Sequence, residues 1–180
     1  MSWGQNVSTS WGNNAGTAWY TAANWSPTNY SGAQGAAGSN TNIATFTSNG
    51  TGNPFGINMG TASLNLGAIS IDNTRTTAVN ISNSSTTAGV LRLYGTTVNS
   101  VSNVIIRNNG SGLLSLQTNV NTMGLVLSNA TDNIINTDNT GGVTINSIIS
   151  GTGNLTKAGS GTGVLTLKGV NTYSGKTTVK

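Results

Sequence analysis

From about Asn42 onward, short apolar clusters recur along the chain, among them Leu64/Leu66, Ile69/Ile71, Val79/Ile81, Leu91/Leu93, Leu114/Leu116, Leu125/Leu127, Val143/Ile145 and Leu165/Leu167. Inside each cluster the apolar residues stand two apart, the spacing of a strand that turns one face inward. From cluster to cluster the distance is roughly 9 to 13 residues, filled with Asn, Thr, Ser, Gly and Asp, which is a cadence of short strands and turns. Such a chain has no helical stripe to bury, so the expected fold class is all-β.

Composition agrees with that pattern. Only 6% of residues are charged while 35% are hydrophobic, so the high charge and low hydrophobicity of a disordered chain are missing. The abundant Asn, Thr, Ser and Gly form turns, and the strong helix formers are scarce. At 180 residues and 18.2 kDa the chain suits one elongated domain.

A sandwich or a barrel shows the same cadence. Three features favour a solenoid. Long hairpin strands are absent, the tight-hairpin pairs Asn-Gly and Asp-Gly are rare (Asn49-Gly50 and Asn109-Gly110 are the exceptions), and Asn recurs at corners. Two clusters are then expected to make one coil of roughly 20 residues, stacked on the next by parallel pairing. Inward Val, Ile and Leu would form ladders along the axis, and corner Asn and Thr would stack in polar ones.

Residues 1–42 differ in texture. They hold all four tryptophans, Trp3, Trp11, Trp19 and Trp25, together with Tyr20, Tyr30 and the Gly/Ala-rich stretch from Ser31 to Gly38. The expected organisation is a Trp-rich N-terminal cap or docking arm at 1–42 and a β-solenoid at 43–180. As a cap, Trp11, Trp19 and Trp25 plug the terminal coil against edge pairing. As an arm, they anchor the N-terminus on a neighbouring subunit as an added strand. A third reading stacks the rings on sugars.

The chemistry that is missing is as informative. There is no Cys, so disulfides and thiolate chemistry are excluded. There is no His, so His-dependent triads and His metal sites are excluded as well. Asp72, Asp132 and Asp138 are the only acids, too few for the carboxylate clusters of polysaccharide-cleaving β-helices. Asp132 and Asp138 are expected to form two Asx-turns and not a cation site. The stretch Gly169 to Thr177 imitates a phosphate loop with the wrong spacing and no following helix pattern. No catalytic, cofactor or metal residue is assigned, and the chain is expected not to be an enzyme.

The net charge of +4 comes from scarce acids, since Arg75, Arg92, Arg107, Lys157, Lys168, Lys176 and Lys180 are dispersed. That excludes a nucleic-acid face and weakens self-repulsion, which favours a polymer. No run approaches the ~20 apolar residues of a membrane span, and the N-terminus lacks the regions of a signal peptide. If the protein is exported, its signal is expected to be already removed.

Residues 149–179 read as a Gly-rich turn, Leu155-Thr-Lys157, a second Gly-rich turn, Leu165-Thr-Leu167 and then Asn171-Thr-Tyr-Ser-Gly-Lys-Thr-Thr-Val179. This order and spacing resembles the autotransporter-associated β-strand repeat, over about a sixth of the chain. Ala23-Asn24-Trp25-Ser26 and Ala44-Thr45-Phe46 resemble the leader before such repeats. The resemblance implies a right-handed parallel β-helix displayed outside the cell, as an autotransporter passenger or part of a large surface protein. No C-terminal outer-membrane barrel is expected, because residues 155–180 lack its series of ~10-residue alternating strands. The chain stops straight after the motif, as either a fragment or a self-contained subunit with an open end.

The expected function is therefore that of an extracellular structural protein that assembles with itself head to tail into a filament. Trp3, Trp11, Trp19, Trp25, Tyr173 and Val179 are its candidate inter-subunit or capping residues. The alternative is a passenger fragment of an adhesin that binds glycans or cell surfaces.

Overall fold

A computed structural model describes residues 9–11, 25–26, 33–34, 41–47, 55–59, 63–83, 89–116 and 123–180. Among them there is no helix, and so none long and apolar enough to cross a membrane. The strands are β1 (Thr9–Trp11), β2 (Trp25–Ser26), β3 (Ala33–Gln34), β4 (Ile43–Phe46), β5 (Phe55–Asn58), β6 (Leu64–Leu66), β7 (Ala68–Ile71), β8 (Val79–Ser82), β9 (Val90–Leu93) and β10 (Thr96–Val98). They continue as β11 (Val101–Asn108), β12 (Leu114–Leu116), β13 (Gly124–Leu127), β14 (Asp132–Thr137), β15 (Val143–Ile145), β16 (Ile149–Gly151), β17 (Asn154–Ala158), β18 (Leu165–Leu167) and β19 (Thr177–Val179).

Once per coil the chain returns to the same sheet. The first sheet runs β19-β17-β14-β11-β7-β4-β1-β2, the second β18-β15-β12-β8-β5 and the third β16-β13-β9-β6-β3. Strands of successive coils pair in parallel, so the chain winds as a β-solenoid of about four turns. The solenoid expected from the sequence is therefore present, with one correction. Each coil contains three strands and not two, because three sheets around one axis enclose a core that two short strands would leave open at the sides.

Coil length is not constant either. Ile69 pairs with Ile106 (37 residues on), Ile106 with Ile135 (29 on), and Asp132 with Asn154 (22 on). The 22-residue step repeats from Val143 to Leu165 and from Leu155 to Thr177.

Parallel in-register pairing stacks like residues into columns. Ala44, Ile69, Ile106 and Ile135 form one in the first sheet, and Val79, Leu114 and Val143 form one in the second. Leu91 and Leu125 lead to Ile149 in the third. All of these are buried in one continuous core, each side chain gaining about 2 kcal/mol from leaving water, the alanine less. A second cluster sits on the opposite side of the first sheet. Ile43, Ala68 and Ile134 are each one position off the inward column and face outward, where Val98 of β10 and Val104 of β11 pack with them.

That outer cluster exists because the chain makes a hairpin between the second and third coils. β10 and β11 pair antiparallel around Asn99-Ser100, with φ of 46° and 65°, the left-handed pair of a two-residue hairpin turn. Neither residue is Gly, so the Asn-Gly signal that marks such turns is absent. Asn109-Gly110, which does carry it, is the corner between β11 and β12. Asn49-Gly50 lies outside the described residues. A register shift between Val104 and Ile106 puts Val104 under the hairpin and Ile105 and Ile106 in the main core.

Candidate functional site

β17, β18, residues 171–174 and β19 form the last coil of the described solenoid and the strand that follows it. Among the described residues β18 pairs only with β15, and β19 only with β17. Residues 171–174 extend the third sheet without forming a regular strand. Thr172 N donates to Ile149 O at 2.8 Å and Ser174 N to Gly151 O at 3.0 Å. Asn171 substitutes for a backbone acceptor, its Oδ1 taking the Ile149 N–H at 2.9 Å.

Leu165, Leu167 and Tyr173 pack half-buried against the main core, while Val179 on the outermost strand is 77% exposed. Tyr173 Oη is hydrogen-bonded to Thr177 Oγ1, which ties the third sheet to the first. Lys157 occupies a position in the Ile106 and Ile135 column. Its Nζ turns back to donate to Ala158 O at 3.0 Å, so the stem continues the apolar column and the ammonium leaves it.

The corners are held by side-chain amides and tight glycines. Asn154 Oδ1 accepts from Lys176 N at 2.9 Å. One coil lower, Asn133 Nδ2 donates to Asn129 O at 2.9 Å and Asn154 O at 3.0 Å. Asn108, wholly buried, donates through Nδ2 to Gly112 O and Gly142 O, each at 2.9 Å, and accepts from Gly110 N at 3.1 Å. A Cβ on Gly163 would stand 2.2 Å from Gly141 O, a separation only glycine permits. The polar corner ladders expected from the sequence thus take the form of amides bonding to the backbone of adjacent coils.

The charged groups lie mostly on the lateral surface. Arg107 Nε meets Asp138 Oδ2 at 2.9 Å, and Asn136 Nδ2 donates to both oxygens of the same carboxylate. With its amide oxygen turned toward Arg107, Asn99 accepts from both terminal guanidinium nitrogens at 2.9 and 3.2 Å, tying the hairpin tip to the fourth coil. Asp132 accepts from Thr156 Oγ1 at 2.8 Å. The two carboxylates therefore stand at opposite ends of β14 and are not brought together at one corner. Asp138 is an ion-pair partner where an Asx-turn was expected. No group of three His, Cys, Asp or Glu able to hold a metal occurs among the described residues.

Arg75 sits 1% exposed in the corner between β7 and β8, and burial lowers its pKa below the ordinary arginine value. Nothing in the sequence around it signals a buried cation.

Of the candidate inter-subunit residues, Trp3 and Trp19 lie outside the described residues. Trp11 and Trp25 are backbone partners in the antiparallel β1–β2 pair, which continues the first sheet at its other end. Tyr173 packs against the core and bonds to Thr177, while Val179 stands exposed on β19, opposite Lys157 of β17. No protein family, curated protein or solved structure matches this chain.

Proposed function

We propose that this protein is a non-catalytic structural β-solenoid, displayed outside the cell and joined to further copies of itself head to tail in a filament. One observation carries the reading: among the described residues β18 and β19 pair on one side only, with Val179 exposed and Leu165, Leu167 and Tyr173 half covered. Such an edge is a template for another strand, and a heterologous contact that does not close propagates as a fibre. Among the described residues β2, at the opposite end of the first sheet, also pairs on one side only.

Residues 149–179 are read here as a repeat of the autotransporter-associated type. In support, Leu155-Thr-Lys157, Leu165-Thr-Leu167 and Asn171-Thr-Tyr173 fall one on each sheet of a 22-residue coil, and Thr177-Thr-Val179 opens the next. The non-catalytic reading is supported by the acids, each already engaged in structure: Asp138 with Arg107, Asp132 with Thr156, Asp72 with Thr74.

Electron microscopy of the purified protein is the test. Uniform filaments are expected, and they should vanish when residues 1–30 are removed. Filaments unchanged by that truncation rule out N-terminal docking. Dispersed rods whose sugar affinity falls on Trp25→Ala replace the filament reading with that of a glycan-binding passenger.

A further inference from the structure

The outer face of the second sheet is bordered on both sides by positions that alternate between large apolar residues and glycine or alanine. We infer that this face binds a second copy of the chain side by side, with Gly124 as the socket for a large apolar residue of the partner copy. The contact is lateral and stands apart from the end-to-end joining proposed above.

The borders follow from the registers. Val79, Leu114 and Val143 form an inward column of the second sheet, so Ala78, Leu113 and Gly142, each one position earlier, form an outward one where the chain enters that sheet. Leu91, Leu125 and Ile149 form an inward column of the third sheet. Val90, Gly124 and Ile148 precede them and line the border where the chain leaves the second sheet. Coil by coil the two borders pair Ala78 with Val90, Leu113 with Gly124, and Gly142 with Ile148. Where one border is large, the other is small.

Exposure marks the large residues as projections. Leu113 is 42% and Ile148 52% exposed. Gly124 is open, because a Cβ there meets nothing within 4 Å, whereas one on Gly142 stands 2.7 Å from Val164 O and 3.6 Å from Leu113 Cδ1. An isologous contact repeats every pairing in both directions. A two-fold axis along the solenoid sets Leu113 of one copy on Gly124 of the other. A two-fold axis across it, between the coils of Leu113 and Gly142, sets Ile148 there instead. Both arrangements place large on small at each border.

Charge favours the same occupant. Among the described residues Lys168 is the only charged side chain on the outer face of the second sheet, beside Asn146. The first sheet carries Arg107 and Asp138 on its outside, and the third has Arg92 between Asn65 and Val126. A second copy therefore meets this face without like-charge opposition, and a charged partner finds little to hold. The five strands of this sheet, about 4.8 Å apart and about 20 Å across, offer about 400 Å². That is half of the roughly 800 Å² per partner of a stable complex. An isolated pair is thus weak, with a dissociation constant of about 1 mM, and gains strength only where copies are arrayed.

If the wild type forms filaments, electron microscopy reads paired against single filaments. If it does not, sedimentation equilibrium up to about 1 mM reads dimer against monomer, so loss of the filament reading and loss of this contact are separate results. Wild type is expected to pair. Gly124→Leu is expected to weaken pairing at least about tenfold with thermal unfolding unchanged, since its added carbon meets nothing. Adding Leu113→Gly or Ile148→Gly to it is expected to restore pairing in one of the two double variants, and which one fixes the axis.

Unpaired wild type overturns the contact. Pairing by Gly124→Leu as tight as wild type, or tighter, overturns the socket, because unselective apolar association gains from added apolar surface. Two folded double variants that both stay unpaired overturn it as well. Should the double variants not fold, Thr144→Lys decides. An ammonium in the middle of the face is expected to separate the copies at low salt, and unchanged pairing overturns the assignment of this face.

Discussion

The coils at 131–180 and those at 41–127 solve the same packing problem by different means. The C-terminal coils keep a 22-residue step and close each corner with a glycine or an asparagine amide. The earlier coils vary in length, carry a hairpin and a register shift, and build a second apolar cluster outside the first sheet. Regular coils stack because each repeats the backbone path below it, so their stability resides in the corner contacts between neighbours. Irregular coils have lost that exact superposition, and the hairpin offsets it by covering Ile43, Ala68 and Ile134 from outside.

Five substitutions and one control sharpen or break this contrast. Asn108→Ala, where the irregular coils meet the regular ones, strips partners from Gly110 N, Gly112 O and Gly142 O at once. It should lower stability in urea by about 3 kcal/mol. Gly163→Ala, in a regular corner, should cost about 2–3 kcal/mol because the new methyl meets a backbone carbonyl. Gly124→Ala is its control, since nothing lies within 4 Å of the added carbon. That change should be neutral or stabilising by about 0.5 kcal/mol. If the two glycine variants behave alike in thermal unfolding, close corner stacking is not what holds the regular coils.

Val98→Ala should cost about 1–2 kcal/mol. Hydrogen exchange should quicken in β10 and the first half of β11 while β14 to β18 keep their protection. Loss of protection throughout would mean that the outer cluster supports the whole stack. Lys157→Leu completes the column of Ile106 and Ile135 and should raise stability by about 0.5–1 kcal/mol. Arg107→Ala has the smallest expected effect, about 0.5–1 kcal/mol and weaker in high salt, because its pair with Asp138 keeps partial contact with solvent.

Much of the C-terminal half was legible from sequence. Leu114/Leu116, Leu125/Leu127, Val143/Ile145 and Leu165/Leu167 all fall in strands, because a period of two with one buried face is a local property that reads directly. The hairpin was not legible. β10 has three residues, its turn is Asn99-Ser100 without glycine, and its single buried apolar residue, Val98, gives no period. The same holds for the C-terminal coil. Tyr173 and Val179 were named from the repeat, but that Lys157 stands in an aliphatic column depends on which strands are neighbours.

The sequence by itself determined that the protein is all-β, made of short strands that each bury one face, with Asn and Gly at the corners. Those are choices each residue makes through its own backbone preferences and the alternation of its side chain. Only the tertiary structure decided that three strands complete a coil, that the coil step goes from 25 to 37 residues and then down to 22 along the axis, and that Arg107 joins Asn99 to Asp138. Pairing partners are set by the registry of whole coils, a long-range balance of corner fit and core filling that no local stretch of sequence encodes.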